Sequence, residues 1–131
     1  MTQLHDIETA LRASWTSDTA FDKNDWSVEN PARGQCVVSS LVVQDYLGGE
    51  LVRCAVDSVD LHETHYFNLL DNGMVVDTTG SQYTESVAMT NKPVSYVGYS
   101  SIREKRLSDD DTRIRYELLK KRVSAYLEKN K

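Results

Sequence analysis

Three residue types that together perform thiol chemistry occur in order within one stretch of the chain. Cys36 follows Gly34-Gln35, His65 opens His65-Tyr66-Phe67-Asn68, and Asp77 follows Val75-Val76 and precedes Thr78-Thr79. A cysteine attacks as its thiolate, a histidine takes and returns the proton, and a carboxylate fixes the imidazole. That is the set of parts a covalent acyl-transfer site uses. Each residue also has a plainer reading. Cys36 is then a small apolar residue opening a core helix, His65 a surface or capped residue at a strand edge, and Asp77 a turn residue before two threonines. His62 competes with His65 for the role of base, and His5 does so weakly.

The elements that carry these residues decide between the two readings. Across residues 36–47, Val37, Val38, Leu41, Val42, Val43 and Leu47 cover most of a helix circumference, which predicts a largely buried helix. Its valines make a strand compete on propensity, but the length and the Gly48-Gly49 stop favour the helix. A helix N-terminus favours a thiolate through its positive dipole end and offers backbone N–H groups to an oxyanion. Cys36 is predicted to sit there. Residues 65–70 and 74–78 read as strands about Asp71-Asn72-Gly73. A three-residue loop with Gly73 in the left-handed region pairs Leu70 with Met74 and puts His65 and Asp77 on one face as diagonal neighbours. A two-residue Asn72-Gly73 turn pairs Asp71 with Met74 and sends them to opposite faces. The triad therefore demands the longer loop.

The rest of the chain supplies the frame. Residues 3–14 read as an amphipathic helix with Thr2 as its N-cap and Leu4, Ile7 and Leu11 on one face. Residues 16–25 have turn chemistry, and Asn30-Pro31-Ala32-Arg33-Gly34 reads as a loop ending at Gln35-Cys36. Residues 50–59 alternate as a strand. Residues 79–92 read as irregular, and 93–100 as a last strand. Residues 108–128 read as one long helix, with Ser108 and Asp111 as a capping-box-like start and Tyr116, Leu119, Val123, Tyr126 and Leu127 as its apolar stripe. The fold class expected is α+β: helices packed on a mostly antiparallel sheet of about four strands, in a single domain over residues 1–131.

Composition narrows the function classes. With 131 residues, 40% hydrophobic and 27% charged, the chain has the make-up of one ordinary globular domain. A net charge of −5 argues against a broad nucleic-acid footprint, because the basic runs at 103–106 and 120–122 are flanked by acidic residues. No signal peptide is visible at the N-terminus, and no apolar run reaches the roughly 18 residues of a membrane span. A cytoplasmic location is expected, with Cys36 and Cys54 as reduced thiols rather than a disulfide. Two Cys and three His show no zinc-finger spacing, so neither metal nor cofactor is expected. The expected partner is a small-molecule or peptide substrate, not a nucleic acid or a membrane.

Gly34-Gln35-Cys36, the run Leu47-Gly48-Gly49-Glu50-Leu51, His65-Tyr66-Phe67-Asn68, Asp71-Asn72-Gly73 and Asp77-Thr78-Thr79 with Gln82-Tyr83 resemble the bacterial YunG family over roughly residues 30–85. More distantly, a Cys-headed helix followed by a hairpin that opens with His and closes with Asp is similar to papain-like and transglutaminase-like proteins. That resemblance implies a papain-like core in which Cys36 is the nucleophile, His65 the base and Asp77 the residue that orients it. Papain-like sites usually have a glutamine a few residues before the cysteine to help hold the oxyanion. Here Gln35 is adjacent to Cys36 and Asn30 lies six residues before it, so either is a candidate donor. The leading expectation is a cysteine hydrolase or acyltransferase acting on an amide or thioester. The alternative is a non-catalytic binding or structural module whose aromatics (Tyr66, Phe67, Tyr83, Tyr96, Tyr99) line a pocket or fill a core. A third is a redox-sensing thiol that uses Cys36 without Asp77.

Overall fold

The computed structural model describes residues 2–131. Helix α2 (Cys36–Leu47) runs through its middle, with Val38, Leu41, Val42 and Val43 fully buried. A helix apolar on nearly all sides needs cover on more than one. Strand β2 (His62–Leu69) covers one side and helix α4 (Asp110–Lys129) another. Two polar bonds fix its seat: Trp15 Nε1–H donates to Ser39 Oγ at 2.9 Å and Asn68 Nδ2–H to the Ser40 carbonyl at 2.9 Å. Gly48, at φ +73, ends the helix, where glycine reaches the left-handed region without steric cost.

Strands β1 (Glu50–Asp57), β2, β3 (Val75–Val76) and β4 (Ala88–Asn91) form one antiparallel sheet in the order β3-β2-β1-β4. In the β1–β2 ladder, Cys54 lies opposite His65 and Arg53 opposite Tyr66. Helix α1 (Leu4–Ser14) packs on α4, and Ile7, Leu11, Leu119 and Val123 are buried between these helices and α2. The architecture is α+β, with helices against a four-stranded antiparallel sheet. Among the described residues, no helix is long and apolar enough to cross a membrane.

Several elements differ from the sequence reading. Helix α1 is capped by Gln3 rather than Thr2, and the Gln3 N–H donates to Asp6 Oδ2 at 3.1 Å. The last strand is Ala88–Asn91, inside the stretch read as irregular, and residues 93–100 form no strand. All four β4 residues are exposed, so no apolar alternation marks them. Pro93 has no N–H to extend the ladder. The Arg53 guanidinium caps it, donating to the Lys92 and Pro93 carbonyls at 2.9 Å each. The C-terminal helix is preceded by a separate short one, α3 (Ile102–Leu107).

Ser108 does not cap α4; its hydroxyl donates back to the Lys105 carbonyl at 2.6 Å. Asp109 is the cap, accepting the Thr112 N–H at 2.9 Å and the Thr112 hydroxyl at 2.8 Å. Those two bonds, the backbone one first, hold the Asp109 carboxyl below its usual range. Asp109→Ala is therefore expected to cost about 1 kcal/mol, and Ser108→Ala clearly less. Urea midpoints of the two variants measure the difference, and equal losses would contradict the assignment of the cap.

Candidate active site

The hairpin takes the longer loop. The Leu70 N–H donates to the Met74 carbonyl at 2.8 Å, the Gly73 N–H donates to the Leu70 carbonyl at 2.9 Å, and Gly73 adopts φ +86. Asn68 pairs with Val76 and Leu69 with Val75, the register that sets His65 and Asp77 on one face. The ladder is shorter than residues 74–78, because pairing stops at Val76. Asp77 leaves the strand at that point and its carboxylate reaches back to the ring. His65 Nε2–H donates to Asp77 Oδ1 and Oδ2, both at 2.9 Å.

The His65 side chain is fully buried. Burial is the strongest influence on its pKa and acts downward, since it penalises the imidazolium. The hydrogen bond to Asp77 and then the attraction of the Cys36 thiol act upward, and together they push His65 to about 9. Cys36 is the first residue of α2, is half-buried, and opens onto a cavity of about 440 Å³. The ring bonds of His65 run to Asp77 at Nε2 and to Gln82 at Nδ1. Cys36 thus acts on a ring whose Nε2 is already taken. Because a carboxylate accepts there, Nε2 keeps its proton in either state and Nδ1 is the nitrogen that gains or loses one.

The other candidates lie elsewhere. His62 Nδ1 pairs with Asp57 at 2.8 Å on the surface, and His5 is on the exposed side of α1. Cys54 is a free, buried thiol. Burial raises its pKa, and the negative charges of Asp77 and Cys36 add to the effect, which keeps it protonated and unreactive. Neither proposed oxyanion donor lines the cavity with Cys36. Gln35 is fully buried, its Nε2–H donating to the Thr16 carbonyl at 3.0 Å while its Oε1 has no hydrogen-bond partner. Asn30 Nδ2–H donates to the Gln82 carbonyl at 2.8 Å. The donors that remain are the N–H groups of the first turn of α2, which have no partner within the helix.

Gln82 is the residue that sequence reasoning missed as a site member. It is buried and lines the cavity. Its Oε1 accepts from Arg33 Nη1 at 3.2 Å and from the Gly34 N–H at 3.4 Å; its Nε2 donates to Thr79 Oγ1 and to His65 Nδ1, both at 3.4 Å. An amide donor on Nδ1 stabilises the tautomer with its proton on Nε2. Behind Gln82, Arg33 grips Glu63 with two nitrogens at 2.8 and 2.7 Å and donates Nε–H to Asp25 at 2.8 Å. The hydrogen bond to Glu63 is the main reason the guanidinium pKa is raised. Tyr83 donates its hydroxyl to Glu63 at 2.9 Å and stands edge-on to the His65 ring at 5.3 Å. The sequence signals for Gln82 are its place in the Gln82-Tyr83 motif of the family resemblance and the turn chemistry of Thr79-Gly80, which becomes the Gly80–Gln82 helical turn.

The family model described as YunG protein matches residues 3–128. The chain is also similar to a Bacillus subtilis (strain 168) protein described as "Uncharacterized protein YunG". The two are 29% identical over 121 residues, covering 92% of this chain and 91% of that one. No solved structure matches.

Proposed function

The chain belongs to the YunG family, and we propose that it is a cysteine hydrolase or acyltransferase acting on an amide or thioester through Cys36, His65 and Asp77. The observation that carries this reading is a buried imidazole gripped at Nε2 by both oxygens of one carboxylate, with the thiol at the head of α2 acting on the same ring. A structural histidine needs one satisfied bond. It gains nothing from a half-buried thiol that acts on its ring at the mouth of a cavity. Within the α+β frame, a Cys-headed helix packed on an antiparallel sheet, with His on a strand and Asp just past the next, supports a papain-like or transglutaminase-like core.

The chemistry follows from the tautomer. With His65 pushed to about 9, Nδ1 already holds the Cys36 proton near neutral pH, and Asp77 stabilises that imidazolium beside the thiolate. The thiolate adds to the acyl carbonyl carbon, forming the C–S bond. The N–H groups at the start of α2 hold the oxyanion. The C–N or C–S bond to the leaving group then breaks, the leaving amine or thiol receives the Nδ1 proton, and a thioester remains on Cys36. Water or a second nucleophile gives its proton to Nδ1, attacks the thioester and releases the thiolate.

Thiol labelling tests this. Iodoacetamide at pH 7 is expected to alkylate Cys36 and to leave buried Cys54 untouched. His65→Ala is expected to slow that alkylation about tenfold or more, the low end of the effect of a positioned base. Peptide mass spectrometry reads both rates. Equal Cys36 rates in the wild type and His65→Ala would overturn the proposal.

A further inference from the structure

The cavity that Cys36 opens onto contains a guanidinium without a partner. Four arginines line it: Arg33, Arg53, Arg106 and Arg115. Arg33 is saturated by Glu63, Asp25 and Gln82. Arg115 is held by Asp111 at 2.9 Å and by the Thr19 carbonyl at 3.3 Å. Arg53 has only carbonyl acceptors, at Lys92 and Pro93, so no carboxylate balances its charge. Among the described residues Arg106 makes no ion pair at all, and its Nε is buried with no hydrogen-bond partner. Asp109, three residues on, feels its charge but commits its carboxylate to Thr112.

A buried N–H on a cation without an acceptor is costly. Arg106 is nonetheless held in that pose, its guanidinium lying 5.8 Å from the centroid of the Tyr66 ring. A cation over an aromatic face is attracted by the ring and keeps its N–H groups for a ligand. Arg53, opposite Tyr66 in the ladder, adds a second positive charge to the same wall. Asp22, the one remaining carboxylate of the cavity, accepts the Asn24 N–H at 3.0 Å. The two Arg106 Nη groups make no hydrogen bond and, unlike Nε, are not sealed off, and their paired N–H groups are a two-pronged donor set that matches a carboxylate.

We infer that the acyl donor carries a carboxylate, which Arg106 grips while its carbonyl faces Cys36. This rests on the thiol reading above and narrows it to anionic substrates. The Arg106 Nη groups, which make no hydrogen bond at the cavity wall, are the donors such a group satisfies, and the uncompensated charge of Arg53 strengthens the field that attracts it.

Glutarate and its uncharged diamide, glutaramide, are suitable probes. Glutarate is expected to protect Cys36 from iodoacetamide in the wild type, and glutaramide is not. In Arg106→Gln the apparent affinity for glutarate, measured against that variant's own unprotected labelling rate, is expected to fall about tenfold or more, as for loss of a charge-assisted pair. Arg106→Lys keeps the charge without the fork and is expected to fall between. Equal protection by glutarate and glutaramide, or equal glutarate affinity in wild type and Arg106→Gln, would overturn the inference. Nitrophenolate release separates this from the thiol reading. Wild type is expected to prefer mono-4-nitrophenyl glutarate over 4-nitrophenyl pentanoate, each losing nitrophenolate as Cys36 is acylated. Cys36-dependent release without that preference overturns the anion inference alone. Release that does not depend on Cys36 overturns the thiol reading, and the glutarate measurement then still decides whether Arg106 binds a carboxylate.

Discussion

Asp77→Ala is expected to lower acyl transfer by about 10²–10⁴ and to move the titration of His65 from about 9 to below its ordinary value of 6.5. Both effects have one cause. The ring is fully buried, and burial alone disfavours the imidazolium; the hydrogen bond to Asp77 is the main influence opposing burial. Without it the imidazolium that must accompany the thiolate has no counter-charge, and the Nε2 proton has no acceptor. Asp77→Asn is expected to lose less, because an amide oxygen can still accept from Nε2–H while the charge is gone. The stability effect has a definite sign. A group whose folded pKa lies above its unfolded value stabilises fully below the unfolded one, here 6.5, and that contribution fades as pH rises through about 9. Its size is of order 3 kcal/mol. Wild-type urea midpoints should therefore fall between pH 6.5 and 9, and those of Asp77→Ala should not. The His65 ring proton resonances report the titration directly. A midpoint near 6.5 in both proteins would overturn this account.

The parts of the site that were legible in the sequence are those set by local backbone rules. In the Val-rich residues 36–47 a strand competed on propensity, and the length and the two closing glycines favoured the buried helix that forms. Asp71-Asn72-Gly73 allowed a two- or a three-residue loop, and the three-residue one, with Gly73 at φ +86, sets the register of His65 against Asp77. The partners that converge from distant parts of the chain were not legible. Gln82 reaches His65 because a helical turn and the Arg33–Glu63 pair hold its amide, and no periodicity encodes such a meeting. Gln35 misled by adjacency: its side chain turns to the Thr16 carbonyl in the core instead of lining the cavity. Strand β4 was missed because an exposed edge strand needs no apolar pattern. The capping of α4 was misplaced by one residue because Ser108, Asp109, Asp110 and Asp111 all have N-cap chemistry, and only the backbone geometry selects Asp109.

Gly49→Ala is expected to be the most destabilising small substitution in the frame of the site, at about 3–5 kcal/mol. Gly49 joins the end of α2 to the start of β1 at φ +79, a conformation that costs a residue with a Cβ about 1–2 kcal/mol. The second cost is steric. A Cβ there would stand 2.4 Å from the Leu69 carbonyl oxygen and 2.8 Å from Leu70 Cα. Both are backbone atoms of the hairpin, so no side chain can swing aside. Relief requires the start of β1 to separate from the end of β2, where Glu50 pairs with Leu69. That movement acts on the site, because β2 carries His65 and α2 carries Cys36, and this joint helps set the distance between them. Gly73→Ala supplies the control: its φ is +86, yet a Cβ there meets nothing within 4 Å. It is expected to lose only the conformational 1–2 kcal/mol, about as much as the first term at Gly49. Urea unfolding of the two variants separates conformational strain from collision. Equal losses would mean that the close approach of α2's end to the hairpin is not rigid, and the spacing of Cys36 and His65 would then need another origin.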